Sequence, residues 1–209
     1  MSAVELSEIQ IDALREIGNI GAGNAATALS QMIHKTITIG ISRISIIAVD
    51  EMDFRVPEMK HSTLSTKMKV VGDIEGSILL NWVDDKANIL VDLLTEKPLG
   101  TTKILDEFDK SAIKEVGSIL SIAYLNSIGS FLQFSIIPSV PAFLSGEKDE
   151  ILEAQIRELN PRPGLIFLIE TAIGDTDIIV KGDFFLIPAA RSLEMMLLAL
   201  WVPTSSPMT

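Results

Sequence analysis

Asp12, Glu16, Asn19 and Gly23 are spaced so that, on an α-helix, they fall along one line. A carboxylate and a carboxamide one turn apart offer acceptors and donors to whatever meets that line. Ser111, Glu115 and Ser118 repeat the arrangement later in the chain. A solvated helix face would account for an isolated pair of this kind. Two features argue for more: the Glu recurs, and beside the first copy stand Gly18, Gly21 and Gly23. Each glycine inside a helix costs roughly 1 kcal/mol against alanine. Three of them imply that a packed helix or a docking partner approaches this backbone closely.

Other chemistries are poorly served. Gly21-Ala-Gly-Asn-Ala-Ala matches the spacing of a dinucleotide-binding loop, but a charged amphipathic segment precedes it instead of the buried strand such a loop needs. No phosphate-binding Walker loop occurs. His34 and His61 are solitary and read as ordinary surface residues, without a second ligand at metal spacing. Ser30 and Ser145 lack a nucleophile-elbow context. The absence of cysteine excludes thiol nucleophiles, thiolate metal sites and disulfides, and fits a reducing compartment. With 28 acidic against 17 basic residues the net charge is −11, which disfavours nucleic acid and anionic membrane surfaces as partners.

The elements that must position these residues follow from periodicity. Leu6 to about His34 carries helical spacing (Ile9, Ala13, Leu14, Ile17, Ala25, Ala28, Leu29, Met32), with Ser7 and Gln10 as a capping box. Alternating β-branched runs at 37–41 and 44–47 predict strand, as do 62–71 and 76–82. Asp84 is expected to cap a helix from Lys86 to Thr95. Asp109 is expected to cap a long helix from about Lys110 to Leu132, with Asp106 and Glu107 beside it favoured by the helix dipole. Strands are predicted at 133–138, 164–171 and 177–187. An amphipathic helix over 147–159 and a closing helix over about 189–200 complete the order. MSAVELSEIQ has neither the basic region nor the apolar run of a signal peptide. The apolar stretch Leu193 to Val202 is about half of what a bilayer requires.

The order repeats, and so do residues. Shifted by 99 positions, Leu14-Arg-Glu-Ile-Gly-Asn-Ile lies over Ile113-Lys-Glu-Val-Gly-Ser-Ile, and Ile37 over Ile136. More loosely, Ser77-Ile-Leu-Leu lies over Phe184-Phe-Leu-Ile. A repeat this long is a duplicated subdomain. The expected fold is α/β (α+β): one duplicated domain over 1–202, with halves at about 6–97 and 106–202 and a disordered tail at 203–209. Each half would be helix, three strands, helix. The halves would be related by a pseudo-twofold axis, with the two long helices on one face of the sheet.

Glu16-Ile-Gly-Asn-Ile-Gly-Ala-Gly-Asn-Ala-Ala-Thr-Ala-Leu-Ser, together with Gly72-Asp-Ile-Glu-Gly-Ser and Glu115-Val-Gly-Ser-Ile-Leu, resembles the CheC family. Its members dephosphorylate the chemotaxis response regulator CheY and are related to CheX and to the flagellar switch protein FliY. The family pattern runs Asp or Ser, Glu, Asn and then a Pro. The first copy has Asp12, Glu16 and Asn19, with Ser42 in place of the Pro. The second has Ser111 and Glu115, Ser118 in place of the Asn, and Pro141 in register.

The resemblance implies an aspartyl-phosphate phosphatase. Glu16 would dock the partner, Asn19 would orient the attacking water, and Asp12, Ser111, Gly18, Gly21 and Gly23 would support them. Glu115 and Ser118 would form a weakened second site. No metal or cofactor of its own is implied, because Mg²⁺ sits in the partner. The expected partners are phosphorylated CheY and the receptor deamidase CheD, the latter contacting the neighbourhood of helix 147–159. The alternative is a non-catalytic adaptor for CheY-phosphate, CheD or both. The middle domain of a flagellar switch protein is a less favoured reading. A cytoplasmic protein, monomeric when alone, is expected.

Overall fold

The computed structural model describes residues 8–49, 62–159, 164–175 and 178–201. In chain order the elements are α1 (Glu8–Ile33), β1 (Thr38–Ala48), β2 (Ser62–Gly72), β3 (Gly76–Val83) and α2 (Asp84–Leu94). Then come α3 (Glu107–Leu132), β4 (Ile136–Pro138), β5 (Ala142–Glu147), α4 (Lys148–Leu159), β6 (Leu165–Gly174), β7 (Ile179–Pro188) and α5 (Ala190–Trp201). The architecture is α+β. Ser7, His61 and the 203–209 tail lie outside the described residues.

The strands form one antiparallel sheet in the order β1-β6-β7-β3-β2-β4, with β5 also paired to β2. That order reads as a palindrome about the β7–β3 pair. Each half lends its first strand to the other: β1 pairs with β6, while β4 and β5 pair with β2. The halves are therefore interlocked edge to edge within one sheet. α1 and α3 are both 26 residues long and lie 99 positions apart throughout.

Strand register corrects one sequence correspondence. Ala48 faces Leu165, and its counterpart Glu147 faces Ser62, which makes Ser62 the equivalent of Leu165 and Thr66 that of Ile169. Leu80 faces Thr66 and Phe184 faces Ile169, so Phe184 corresponds to Leu80 and not to Ser77.

Alternation along the strands builds two cores. Ile78, Leu80, Trp82, Phe184 and Leu186 point to the side of α1, α2, α3 and α5 and form the main core. Leu79, Ile166, Phe185 and Ile187 point the other way and are covered by Leu152 and Ile156 of α4. The apolar stripe of α4, including Ile151 and Leu159, is thus spent on packing against the sheet.

Three boundaries differ from the sequence reading. α3 begins at Glu107: its cap is Asp106, whose side chain accepts from Asp109 N, while Asp109 closes the capping box from the third helical position. α2 begins at Asp84, within the helix and not before it. The counterpart of β1 is split in two, β4 and β5, around Pro138 and Pro141. The missing N–H of a proline breaks a ladder.

The buried face of α1 also differs. Ile9, Ala28 and Met32 are exposed, and the core-facing stripe is Ile17, Gly18, Gly21, Ala22, Ala25, Leu29 and Ile33. Small residues dominate it, which lets the helix lie close to its neighbours.

Candidate functional site

α1 turns its small residues inward, so the opposite side carries Asp12, Glu16, Asn19 and Gly23, all exposed. Asp12 pairs with Arg15 at 2.9 Å, one turn before Glu16. Glu16 and Asn19 make no side-chain hydrogen bond or ion pair among the described residues.

The equivalent line on α3 is more occupied. Ser111 Oγ donates to the Glu107 carbonyl at 2.8 Å, and Glu107 pairs with Lys110 at 2.6 Å. The hydrogen bond from Lys110 holds the Glu107 carboxyl below its ordinary value. Glu115 is exposed, whereas Ser118 is half-buried. The two lines belong to different helices, and α1 packs alongside α3.

The three glycines divide. A β-carbon on Gly18 would lie 2.5 Å from Ile41 Cδ1, and one on Gly21 would lie 2.6 Å from Tyr124 Cδ1. These two let α1 settle on β1 and α3, and both are buried. Of the alternatives raised by their cost, internal packing holds for Gly18 and Gly21, which are therefore not surfaces for a partner's loops. Gly23 is exposed, with open space around it.

Ser42 and Pro141 occupy corresponding places in the ladder. The β1–β6 register shifts between Ile41 and Arg43, leaving Ser42 unpaired in a bulge. Pro141 falls in the gap between β4 and β5. Both halves break their first strand at this position, so a residue without an N–H fits there and serine fits as well.

Sequence reasoning missed the network that fixes the start of α3. Asp92 is fully buried at the end of α2 and accepts from Thr101 N at 2.9 Å and Thr102 N at 3.1 Å. Burial alone would raise its carboxyl, but hydrogen bonds from Thr102, Thr101 and Gly100 outweigh it and hold the group below its ordinary value. Lys97 reaches buried Asp109 at 2.6 Å. The Asp109 hydrogen bond pushes the Lys97 ammonium up. The segment joining the halves is thereby tied to α3. The Thr101-Thr102 pair after a helix-end Asp was the available signal.

Among the described residues no three His, Asp or Glu side chains converge as a metal site. Beneath α1 lies an apolar cavity of about 30 Å³, bordered by Ile17, Ile44, Tyr124 and Phe184. It is about the size of one water, and apolar walls of this kind leave it nothing to do in catalysis.

The fold and the α1 line define a class: a duplicated antiparallel sheet carrying two long helices on one face, each with a Glu-centred polar line. Residues 9–40, most of α1 and the start of β1, match the CheC-like family. The chain is 26% identical to the CheY-P phosphatase CheC of Bacillus subtilis (strain 168) over 199 residues, which cover 93% of this chain and 95% of that one. It is 30% identical to the flagellar motor switch phosphatase FliY of the same organism over 112 residues, covering 53% of this chain and 29% of that one. The crystal structure of Thermotoga maritima FliY shares the fold, with a TM-score of 0.73 at 20% identity, covering 93% of this chain and 97% of that one. The chain is thus similar to the CheC-like family along α1 and, over nearly its whole length, to a curated CheC protein. No described helix is long and apolar enough to cross a membrane.

Proposed function

We propose that this protein dephosphorylates the phosphoaspartate of a CheY-type response regulator, with Asn19 orienting the attacking water and Glu16 docking the partner. The observation that carries the reading is the pair itself. In a chain similar to that family, Glu16 and Asn19 stand exposed on the outer line of α1 and make no side-chain hydrogen bond or ion pair among the described residues.

An aspartyl phosphate is already an activated mixed anhydride. Its hydrolysis needs water held in line with the P–O bond to the aspartyl carboxyl. The water oxygen bonds to phosphorus, that P–O bond breaks, and the aspartate leaves as carboxylate while the water's proton passes to phosphate. An Asn carbonyl accepts a hydrogen bond from the water, and its NH₂ donates to a neighbouring group, without a charge that would repel the phosphoryl oxygens. The reading assigns Mg²⁺ and charge neutralisation to the partner's own acidic pocket. Glu16, one turn away from Asn19, suits a pairing with a basic residue of the partner, which would set the register. Ser118 reaches less far than Asn, and a displacement of around 1 Å costs on the order of a hundredfold. The second site is therefore assigned as weak.

The test is phosphate release from purified phosphorylated regulator, with and without the protein. A parent that fails to accelerate release overturns the reading. The adaptor alternative stands if binding persists without hydrolysis. A CheD contact near α4 would have to use its exposed side, Glu150, Ala154 and Arg157, because Leu152 and Ile156 face the sheet.

A further inference from the structure

We infer that the groove at the C-terminal end of α1 is a second recognition element, which takes a carboxylate-bearing loop of the response regulator that the α1 line engages; this rests on the reading above. After Ile33 the chain reverses through His34, whose φ of 53° is in the left-handed region. Ser30 Oγ accepts from Ile37 N at 2.8 Å and holds the start of the return path. Between the last two turns of α1 and this return lies an open groove of about 500 Å³. Lys35 supplies a cation to its lining, with His34 beside it, and no acid lines it. Gln31, His34 and Lys35 are exposed and make no side-chain hydrogen bond or ion pair among the described residues. On a chain of net charge −11, a basic patch free of acids is where an acidic segment is least repelled.

The duplication supplies an internal control. The counterparts of His34, Lys35 and Thr36 are Gln133, Phe134 and Ser135. Gln133 has the same left-handed backbone, with φ 58°. There the loop is closed. Gln133 Nε2 donates to the Ser130 carbonyl at 2.6 Å, and Ser135 N donates to Asp73 Oδ2 at 2.7 Å. Asp73 N in turn donates to the Ser135 carbonyl at 2.8 Å. The turn equivalent to Gly72-Asp73 is Gly174-Asp175, where Asp175 accepts from Ile178 N. A requirement of the fold alone would treat both loops alike. The open, basic groove accompanies the half in which Glu and Asn are both present.

Distance permits one partner to reach both. Along α1, Asn19 to Thr27 is about 12 Å and Asn19 to His34 about 22 Å. A standard interface of roughly 800 Å² per partner is about 30 Å across. Thr27, which borders the groove, is exposed on the same side of α1 as Glu16.

The experiment compares the parent, Lys35→Glu, Lys35→Arg and the second-half control Gln133→Glu. It measures turnover of phosphorylated regulator and titrates the beryllofluoride-activated regulator. Lys35→Glu is expected to raise KM and Kd about fivefold, with kcat within twofold of the parent. Lys35→Arg and Gln133→Glu should match the parent. An active parent whose KM and Kd are unchanged in Lys35→Glu overturns the groove and leaves the Asn19 assignment intact. Equal weakening by Gln133→Glu also overturns it, because long-range charge would then be the cause. A parent that binds without hydrolysing, and is weakened by Lys35→Glu, supports the groove while the phosphatase reading fails.

Discussion

Gly21 of α1 stands against Tyr124 of α3 so closely that a β-carbon would lie 3.1 Å from the Tyr124 Cα as well as 2.6 Å from its ring. The contact is with backbone, which cannot swing aside. Gly21→Val should therefore push the helices apart and destabilise by about 1–3 kcal/mol. Gly23, two residues on, meets nothing within 4 Å. There Gly23→Ala should stabilise by about 1 kcal/mol through helix propensity alone. Thermal melts of the two variants should move in opposite directions, by a few degrees per kcal/mol. A shared direction would contradict the packing described.

Asn19→Ala should lower kcat on phosphorylated regulator about a hundredfold while leaving affinity for the activated regulator near that of the parent, because the water is oriented during reaction and not on docking. Glu16→Ala should raise KM and recover much of its rate at saturating regulator. Unchanged kcat in Asn19→Ala would remove the residue from the mechanism.

Ser118→Ala should leave turnover almost unchanged. Ser118→Asn restores the amide on the second line, and an increase of up to about twofold is expected if both lines then turn over independently. A large loss in Ser118→Ala, with Asn19→Ala still active, would reverse the assignment of the two halves.

Asp92 gives the segment between the halves a pH dependence of definite sign. Its folded carboxyl titrates below the ordinary value, so its contribution is complete above about pH 4 and is lost as pH falls through the lower folded value. Asp92→Asn should cost about 2 kcal/mol near neutrality, since it turns an amide toward the N–H groups of Thr101 and Thr102. The gap between parent and variant in urea midpoint should shrink as pH falls below about 4. A gap that is constant from pH 7 to pH 3 would show that the charge is not what matters.

Local pattern determined much of this protein. Periodicity placed α1 and α3, and a 99-residue shift tied Glu16 to Glu115 and Asn19 to Ser118, because a helix fixes which side chains share a face from spacing alone. What spacing cannot fix is which neighbour meets each face. Only the tertiary structure decided that Gly18 and Gly21 serve β1 and α3 while Gly23 stays open, since those neighbours come from elsewhere in the chain. The exchange of first strands between halves was likewise illegible: β1 pairs with a strand more than a hundred residues away, and its partner is chosen by the closure of the whole sheet. The same holds for the apolar stripe of α4. Its amphipathic spacing is compatible with a core or a docking face, and it faces the core because Leu79, Phe185 and Ile187 leave the far side of the sheet uncovered without it.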